Sequence, residues 1–495
     1  MTKLRTGTAE TLIVWVAACM FFVASLAGNL SAAHDSINYL YHISRGEHLF
    51  HQHHLLYHFF ARGWLWLFGV PAYEYLVVEV FTALWASSVI AVCYLFFRRR
   101  FRLSFTESLL GVSVIAASYG VWFYGSNIEV YMPPLFFVLA SLYRITKDKV
   151  GLKDVIVVSV LHAAAVLFHQ LHILLAPVLF YWIWANFPGK RMVAFSRYVA
   201  ISAVIVGGIY ILVGYVVEGN RTLESFSSWV MGYTVGHNYW HPLNSETPLK
   251  VAAGFVRVFI GGHFIFQLPP VKEALEVSFA QHSLADEWFL TRNLPAWLAW
   301  VLSVVSLIIA AMVFIIIVKF FGAFHRSEYR KRILTPLTIT FVVYSIFFIF
   351  WMPEILEFWI LQVIIMWMMV LGTLPRSRLP FKWKFKPFVG SLAASLLLVN
   401  FFGSMLWLMS FKNDMYYRVT HDLPATEHDI VIVEKNYILK DYVRYFRKLE
   451  VIATDEDKHS KSSINKQIDG VIRKGGRAFI NTGDLAAPWK TIQAY

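Results

Sequence analysis

The chain has 495 residues, 58% of them hydrophobic and only 15% charged; soluble domains carry nearer a quarter charged residues, so a soluble globular fold is excluded. The formal net charge of +13 does not point to nucleic acid, because the basic residues lie in short clusters between apolar runs, as topogenic charge does. Two cysteines, Cys19 and Cys93, both lie in apolar runs, which excludes a disulfide framework and a cysteine zinc site.

A helix needs roughly 20 apolar residues to cross the hydrocarbon layer. On that measure the sequence predicts about eleven transmembrane helices, near 11–33, 73–97, 105–125, 128–145, 154–169, 172–187, 198–217, 294–320, 334–351, 355–373 and 388–411. The first run is too long for a signal-peptide core and is expected to be a retained span. Lys and Arg then set the orientation. Arg98 to Arg102, the pair Arg144 and Lys147, the pair Lys190 and Arg191, Arg326 to Arg332, and Arg376 to Lys386 fall on the N-terminal side of the membrane, which is therefore cytoplasmic.

The first outer segment begins at the edge of the first span. It holds Asp35, then Arg45, His51, His53, His54 and His58, with His34, His42 and His48 interleaved. A carboxylate on a helix end outside a membrane is placed to act as a general base. The imidazoles have three readings: solvated surface, phosphate donors, or metal ligands. His51 with His54, and His54 with His58, would share a helical face and could take a divalent metal.

Further along, the outer turn 124–134 carries Glu129, expected either as a second acid or as a partner of Arg45 or Arg62. The turn His169-Gln-Leu-His172 adds two imidazoles. The outer loop 218–293 adds His237 and His241, and then an apolar piece, Val251 to Leu268, broken at Gly261-Gly262 and expected to be re-entrant or interfacial. Arg257 lies in that piece, and a guanidinium near lipid calls for an anion. Glu354 and Glu357, at the mouth before the tenth span, read as a structural pair with a nearby arginine.

From Lys412 the character changes. Strands are expected at 429–434, 450–454 and 477–481, with helices at 439–449 and 464–473 between them, a small α/β unit. The organisation is thus a membrane domain, 1–411, with outer loops 34–72 and 218–293, and a soluble domain, 412–495, on the extracytoplasmic side.

The acid that follows the first helix in Ala33-His-Asp35-Ser, the amphipathic stretch Leu55-Leu-Tyr-His-Phe-Phe60 and the outer turn Asn127-Ile-Glu-Val-Tyr-Met-Pro-Pro134 together resemble the membrane-embedded GT-C glycosyltransferases. The likeness is to the bacterial protein O-mannosyltransferase-like and lipid-A arabinose-transferase-like branch. That resemblance implies a GT-C fold in a bacterial inner membrane and an inverting transfer of sugar from a polyprenyl-phosphate carrier. The acceptor would be a glycan, lipid or protein on the outer face. It makes Asp35 the general base, Glu129 a second acid, and Arg257 with members of the His51 to His58 cluster the groups that neutralise the departing phosphate; Arg45, His169, His172, His237 and His241 are substrate-binding candidates from their outer position alone. The histidine richness departs from the family pattern and leaves a divalent metal open. A transporter and a di-iron oxygenase with histidine boxes are the rival classes.

Overall fold

A computed structural model describes residues 2–236, 239–278, 285–324, 330–374, 384–434, 436–453, 461–483 and 488–492. It is an α-helical integral membrane protein with a small strand-containing unit at its C-terminal end. Among the described residues, six helices are long and apolar enough to cross a membrane: Pro71–Arg100, Arg191–Val217, Ala296–Gly322, Arg332–Phe350, Leu356–Thr373 and Phe385–Leu408. Phe105–Ala117 and Tyr119–Gly125 form one further span, bent by 73°. The other expected spans fall on Thr2–Val23, Met132–Ile145, Leu152–Phe168 and Ala176–Asn186.

The first helix stops at Val23, not at Ala33. Ser25 and Asn29 explain the stop. The Asn29 Oδ1 accepts from the backbone N–H groups of Ser31 at 3.1 Å and Ala32 at 2.8 Å, and the Trp122 indole donates to Ser25 Oγ at 2.7 Å. A short polar side chain thus offers the backbone an alternative to the helical ladder, and the chain turns early toward Asp35.

At the far end of the bundle Arg98 pairs with Glu10 at 2.9 Å, Arg144 with Asp154 at 2.5 Å, and Arg332 with Asp148. Ile360–Thr373 is buried along its whole length and forms the central post.

Two breaks in the apolar scaffold lie against each other. Tyr119 and Gly120, released by the bend at Ser118, donate their N–H groups to the carbonyls of Phe259 at 3.2 Å and Val258 at 2.9 Å. The Val251–Leu268 piece itself is a helix, Thr247–Arg257, then irregular chain, then a 3₁₀ turn, His263–Gln267. Buried Asn400 closes the account: its Nδ2 donates to the carbonyls of Ala117 at 2.8 Å and Phe259 at 2.7 Å, and its Oδ1 accepts from Gly261 N at 3.2 Å. Irregular backbone survives at membrane depth only where protein satisfies it in this way. Gly120 is required here, since a Cβ would lie 2.8 Å from Val258 Cγ1.

The C-terminal unit has strands β1 (Ile430–Val433), β2 (Glu450–Ala453), β3 (Ala478–Asn481) and β4 (Trp489–Ile492) in the order β2-β1-β3-β4. β1 is parallel to β2 and β3, and β4 pairs antiparallel with β3. β4 has no counterpart in the sequence expectation. The helix Tyr437–Tyr442 that follows β1 docks on Ser36–Arg45, where Asn38 Nδ2 donates to Asp441 Oδ2 at 2.7 Å. The unit therefore sits against the Asp35 helix.

Candidate active site

Asp35 occupies the N-cap position of Ser36–Arg45, and its side chain makes no cap hydrogen bond. His34 before it is held in the left-handed region, φ 59°, a strained conformation for a non-glycine residue. Ser36 Oγ donates to the Ile128 carbonyl at 2.8 Å and to Asn127 Oδ1 at 3.1 Å. That pair of bonds pins the Asp35 helix to the turn carrying Glu129. Glu129 is buried.

A third carboxylate joins them. Glu357 accepts from the Tyr124 hydroxyl at 2.5 Å and from the Tyr131 hydroxyl at 3.1 Å. The expected arginine partner is not what holds Glu357. Tyr124 and Tyr131 flank Glu129 in sequence, so one turn supplies both an acid and the phenols that orient another.

Crowding raises the acids. Burial pushes the Asp35 carboxyl above the usual range, opposed by His34 and reinforced by Asp441. Burial, then the charges of Asp35 and Glu357, push Glu129 well up. The Asp35 side chain nevertheless remains open to water. A carboxylate raised in this way is a better base than an ordinary one, provided that it is ionised at working pH.

Two cavities flank Leu356 to Phe358. One is lined by His34, Tyr119, Arg257, Asp286, Glu287 and Leu356 among others. The Arg257 guanidinium meets Glu287 Oε1 at 3.0 Å, and His34 Nε2 lies 3.8 Å from Asp286 Oδ2. Burial is the largest influence and opposes the charge on Arg257, but Glu287 together with the phenols of Tyr119 and Tyr124 outweighs it, and the guanidinium stays cationic. Asp286 and Glu287 are absent from the sequence-derived site, because nothing in the local run Ala285-Asp-Glu-Trp distinguishes a site from a solvated helix start.

The other cavity is lined by Tyr131, His169, His172, Tyr344, Glu357 and Phe358 among others. His169 leads on to the histidine cluster. The His51 and His54 rings stack at 4.3 Å, His58 meets His54 edge-on at 5.2 Å, and His169 lies 6.4 Å from His54. These contacts arise without the expected helix, since residues 51–56 are turns and the helix begins at Tyr57.

Burial, then the neighbouring imidazoles, lower His51 to about 3 and His53 to about 4, and push His54 well down. His58 falls to about 3 and His169 to about 4, again chiefly through burial. At neutral pH this cluster carries no charge. It can shape a cavity and offer single hydrogen bonds, but it does not supply the positive charge that a phosphate calls for.

The cluster does not form a metal centre either. Among the described residues no group of three or more His, Cys, Asp or Glu is arranged to hold a metal ion. Stacked imidazoles, 12° from parallel with centroids 4.3 Å apart, keep their nitrogen lone pairs in two separate, nearly parallel planes instead of directing them to one point. Among the described residues the stacked pair His51 and His54 thus does not fit the divalent ion that its sequence spacing left open.

The other residues named from the sequence are placed as follows. Arg45 pairs with Glu47 at 2.8 Å on the exposed surface and does not reach Glu129. Arg62 donates to the carbonyls of Ile43 and Ser44. His241 hydrogen-bonds Lys250 at 2.8 Å, with its backbone tied to Phe350, while His237 lies outside the described residues. His172 binds the Tyr344 hydroxyl at 3.0 Å.

The helical membrane bundle with its C-terminal strand-containing unit has the GT-C fold, which it shares with solved structures of membrane glycosyltransferases. The chain is similar in structure to ArnT from Cupriavidus metallidurans in the apo state, with a TM-score of 0.56 at 12% identity over 97% of this chain and 93% of that one. ArnT bound to undecaprenyl phosphate gives a TM-score of 0.54 at the same identity and the same coverage. The Archaeoglobus fulgidus oligosaccharyltransferase aligns with 95% of this chain and 69% of its own, with a TM-score of 0.46 at 11% identity. No family model and no curated protein sequence matches the chain.

Proposed function

We propose that this protein is an inverting glycosyltransferase that takes a sugar from a polyprenyl-phosphate carrier and passes it to a glycan, lipid or protein acceptor. The observation that carries the reading is the disposition of charge. Within a GT-C fold, a raised, water-accessible carboxylate, Asp35, follows His34 at one wall of a cavity whose lining also includes a firmly cationic Arg257. The ArnT structure with undecaprenyl phosphate makes a lipid phosphate the natural carrier.

In this reading Asp35 takes the proton of the acceptor O–H or N–H as that atom bonds to the anomeric carbon. The bond from the anomeric carbon to the phosphate oxygen breaks at the same time, and its electron pair leaves with the phosphate. Arg257 supplies positive charge where the phosphate oxygens become more negative; a preorganised cation in a water-poor site is worth most at that moment. Glu287 takes one side of the guanidinium fork and leaves further donors free. Burial keeps Asp35 raised, and the bonds of Ser36 to the turn that carries Glu129 keep it in place. No step passes through a metal.

The basic loops gathered around Arg98, Arg144 and Arg332 would face the cytoplasm. Residues 412–495 would then form an extracytoplasmic domain over a membrane domain of 1–411, in a bacterial inner membrane. Against transport stands the crowding of polar groups at the Asp35 end, where a transporter would keep its site near the midplane.

The deciding experiment offers purified protein a panel of radiolabelled polyprenyl-phosphate sugars together with membrane acceptors, wild type beside Asp35→Asn. Transfer by wild type that the substitution abolishes supports the reading. Folded wild type that transfers nothing from any donor ends it.

A further inference from the structure

We infer that the C-terminal unit is a working part of the transfer site, in which the buried ion pair Lys440 and Asp441 holds the Asp35 helix through Asn38 and sets the pH range over which Asp35 acts as a base. The inference rests on the role given to Asp35 above. Three observations carry it.

The first is a clamp. The segment that leads into and carries Asp35 is tied to the C-terminal unit at three places. Asn29 Nδ2 donates to the Asn413 carbonyl at 3.4 Å, Leu30 N to Asp414 Oδ2 at 3.2 Å, and Asn38 Nδ2 to Asp441 Oδ2 at 2.7 Å. Asp414 also accepts from the Tyr442 hydroxyl, so one carboxylate joins the approach to Asp35 to the end of the helix Tyr437–Tyr442. Ile438 of that helix is buried in the same apolar cluster as Leu30, Ile37 and Tyr39. Ties on both sides of Asp35 leave its short helix little freedom to shift.

The second is a buried pair that the transfer step does not use. Lys440 is 5% and Asp441 1% exposed, with Lys440 Nζ 3.8 Å from Asp441 Oδ1. A buried ion pair commonly stabilises a fold no better than apolar side chains of the same volume. Stability is therefore a poor reason for one to stand against the helix of a catalytic base.

The third is proximity. Asn38 lies one turn after Asp35, where residues three apart are neighbours about 5–6 Å between their Cβ atoms. The Asp441 carboxylate bonded to Asn38 thus stands within about a Debye length of Asp35, and it is screened little because it is buried. Burial is the main reason that the Asp35 carboxyl is raised, and the Asp441 charge adds to it. The other titratable groups that face Asp35 are His34 and Tyr39 on its own segment, Glu129 and Glu357 from the membrane domain, and Tyr437 at the start of the docked helix; Asp286 meets His34 at 3.8 Å. With Lys440 beside Asp441, the charge at this point can be altered in either direction.

The test uses full-length protein and two readouts. One is the acid limb of kcat/KM. The other needs no substrate: labelling of the protonated Asp35 carboxyl by a water-soluble carbodiimide, followed against pH by mass spectrometry and normalised to Glu427, whose side chain is 85% exposed. Asp441→Asn keeps an acceptor for Asn38 but removes the negative charge, and should move both midpoints down by about half a pH unit or more. Lys440→Met should move them up. The double variant, which strands no buried charge, should fall between Asp441→Asn and wild type. Asn38→Ala loses the tie and should lower kcat by about tenfold or more, as a misplaced base does, with donor binding by thermal shift retained. A pair that serves folding alone would lower the rate in each variant and leave the midpoints in place. Midpoints that stay with wild type in the folded variants overturn the inference, as do single variants that shift them in the same direction; where a single variant does not fold, the double variant decides by its own downward shift. Labelling midpoints that move as expected in a protein that transfers no sugar from any donor leave the hold of the pair on Asp35 standing and remove the glycosyltransfer reading instead.

Discussion

Two polar regions stand on either side of Leu356 to Phe358, and they differ in charge more than in the number of ionisable groups. On one side Asp35, Asp286, Glu287 and Arg257 keep access to water or to an opposite charge. On the other, His51, His53, His54, His58 and His169 are packed against one another with no carboxylate among the causes of their shifts. An ionisable side chain holds its charge in a protein only when solvent or a partner repays its burial. The acid side has those partners, so it can do ionic chemistry. The imidazole side lacks them and behaves as a polar but neutral wall.

The largest effect that would break this division is at Asp35. Asp35→Asn is expected to lower transfer by about 10²–10⁴-fold, the usual contribution of a general base, with donor binding retained by thermal shift. Full activity in the variant would move the base elsewhere.

Next comes Arg257. Arg257→Gln should lower kcat by about 10²-fold, comparable to the loss of one preorganised donor to a developing oxyanion, while His54→Phe on the other side costs much less. If the histidine change proved the more damaging in single-turnover kinetics, the imidazoles would be the phosphate site after all.

The pH dependence sharpens the same contrast. Asp35 is raised above the ordinary carboxylate value, chiefly by burial, and it works as a base only when ionised. The acid limb of kcat/KM should therefore fall as pH drops through a value above the usual carboxylate range. The neutral histidines, already lowered to about 3 or 4, should add no limb between pH 5 and 7.

The smallest effect concerns stability. His54 Nε2 and His58 Nε2 are buried with no hydrogen-bond partner among the described residues. Replacing such a group by an apolar one of similar shape removes a polar atom that gains nothing from burial. His54→Phe should accordingly leave the melting temperature within a few degrees or raise it; a marked fall would mean that the imidazole binds something in the native membrane.

Much of the architecture was readable in advance. Runs of apolar residues and the alternation of strands with helices after Lys412 are local patterns, and local patterns follow from the hydrophobic effect and from helix and strand periodicity acting on neighbours in the chain. Those patterns placed Asp35 just past the first apolar run and the α/β unit at the C-terminal end. They misjudged the end of the first helix, because Ser25 and Asn29 act through Trp122 and through a tight backbone turn, and neither is visible in a hydropathy window. They also took His51, His54 and His58 for a helical face, although the cluster is built from turns.

What chain order could not decide was which groups meet and which of them keep their charge. Glu357 comes to the site through tyrosines more than two hundred residues earlier in the chain. Asp286, Glu287 and Arg257 share a cavity with His34 only because the span bends at Ser118 and Asn400 ties up the two breaks. Chain order was enough for a polytopic membrane bundle with an acid in the loop after its first span, since apolar length acts residue by residue along the chain. The tertiary structure alone decided that the carboxylates converge and the histidines fall silent, because burial and the distance to a counter-charge exist only once remote segments have packed together.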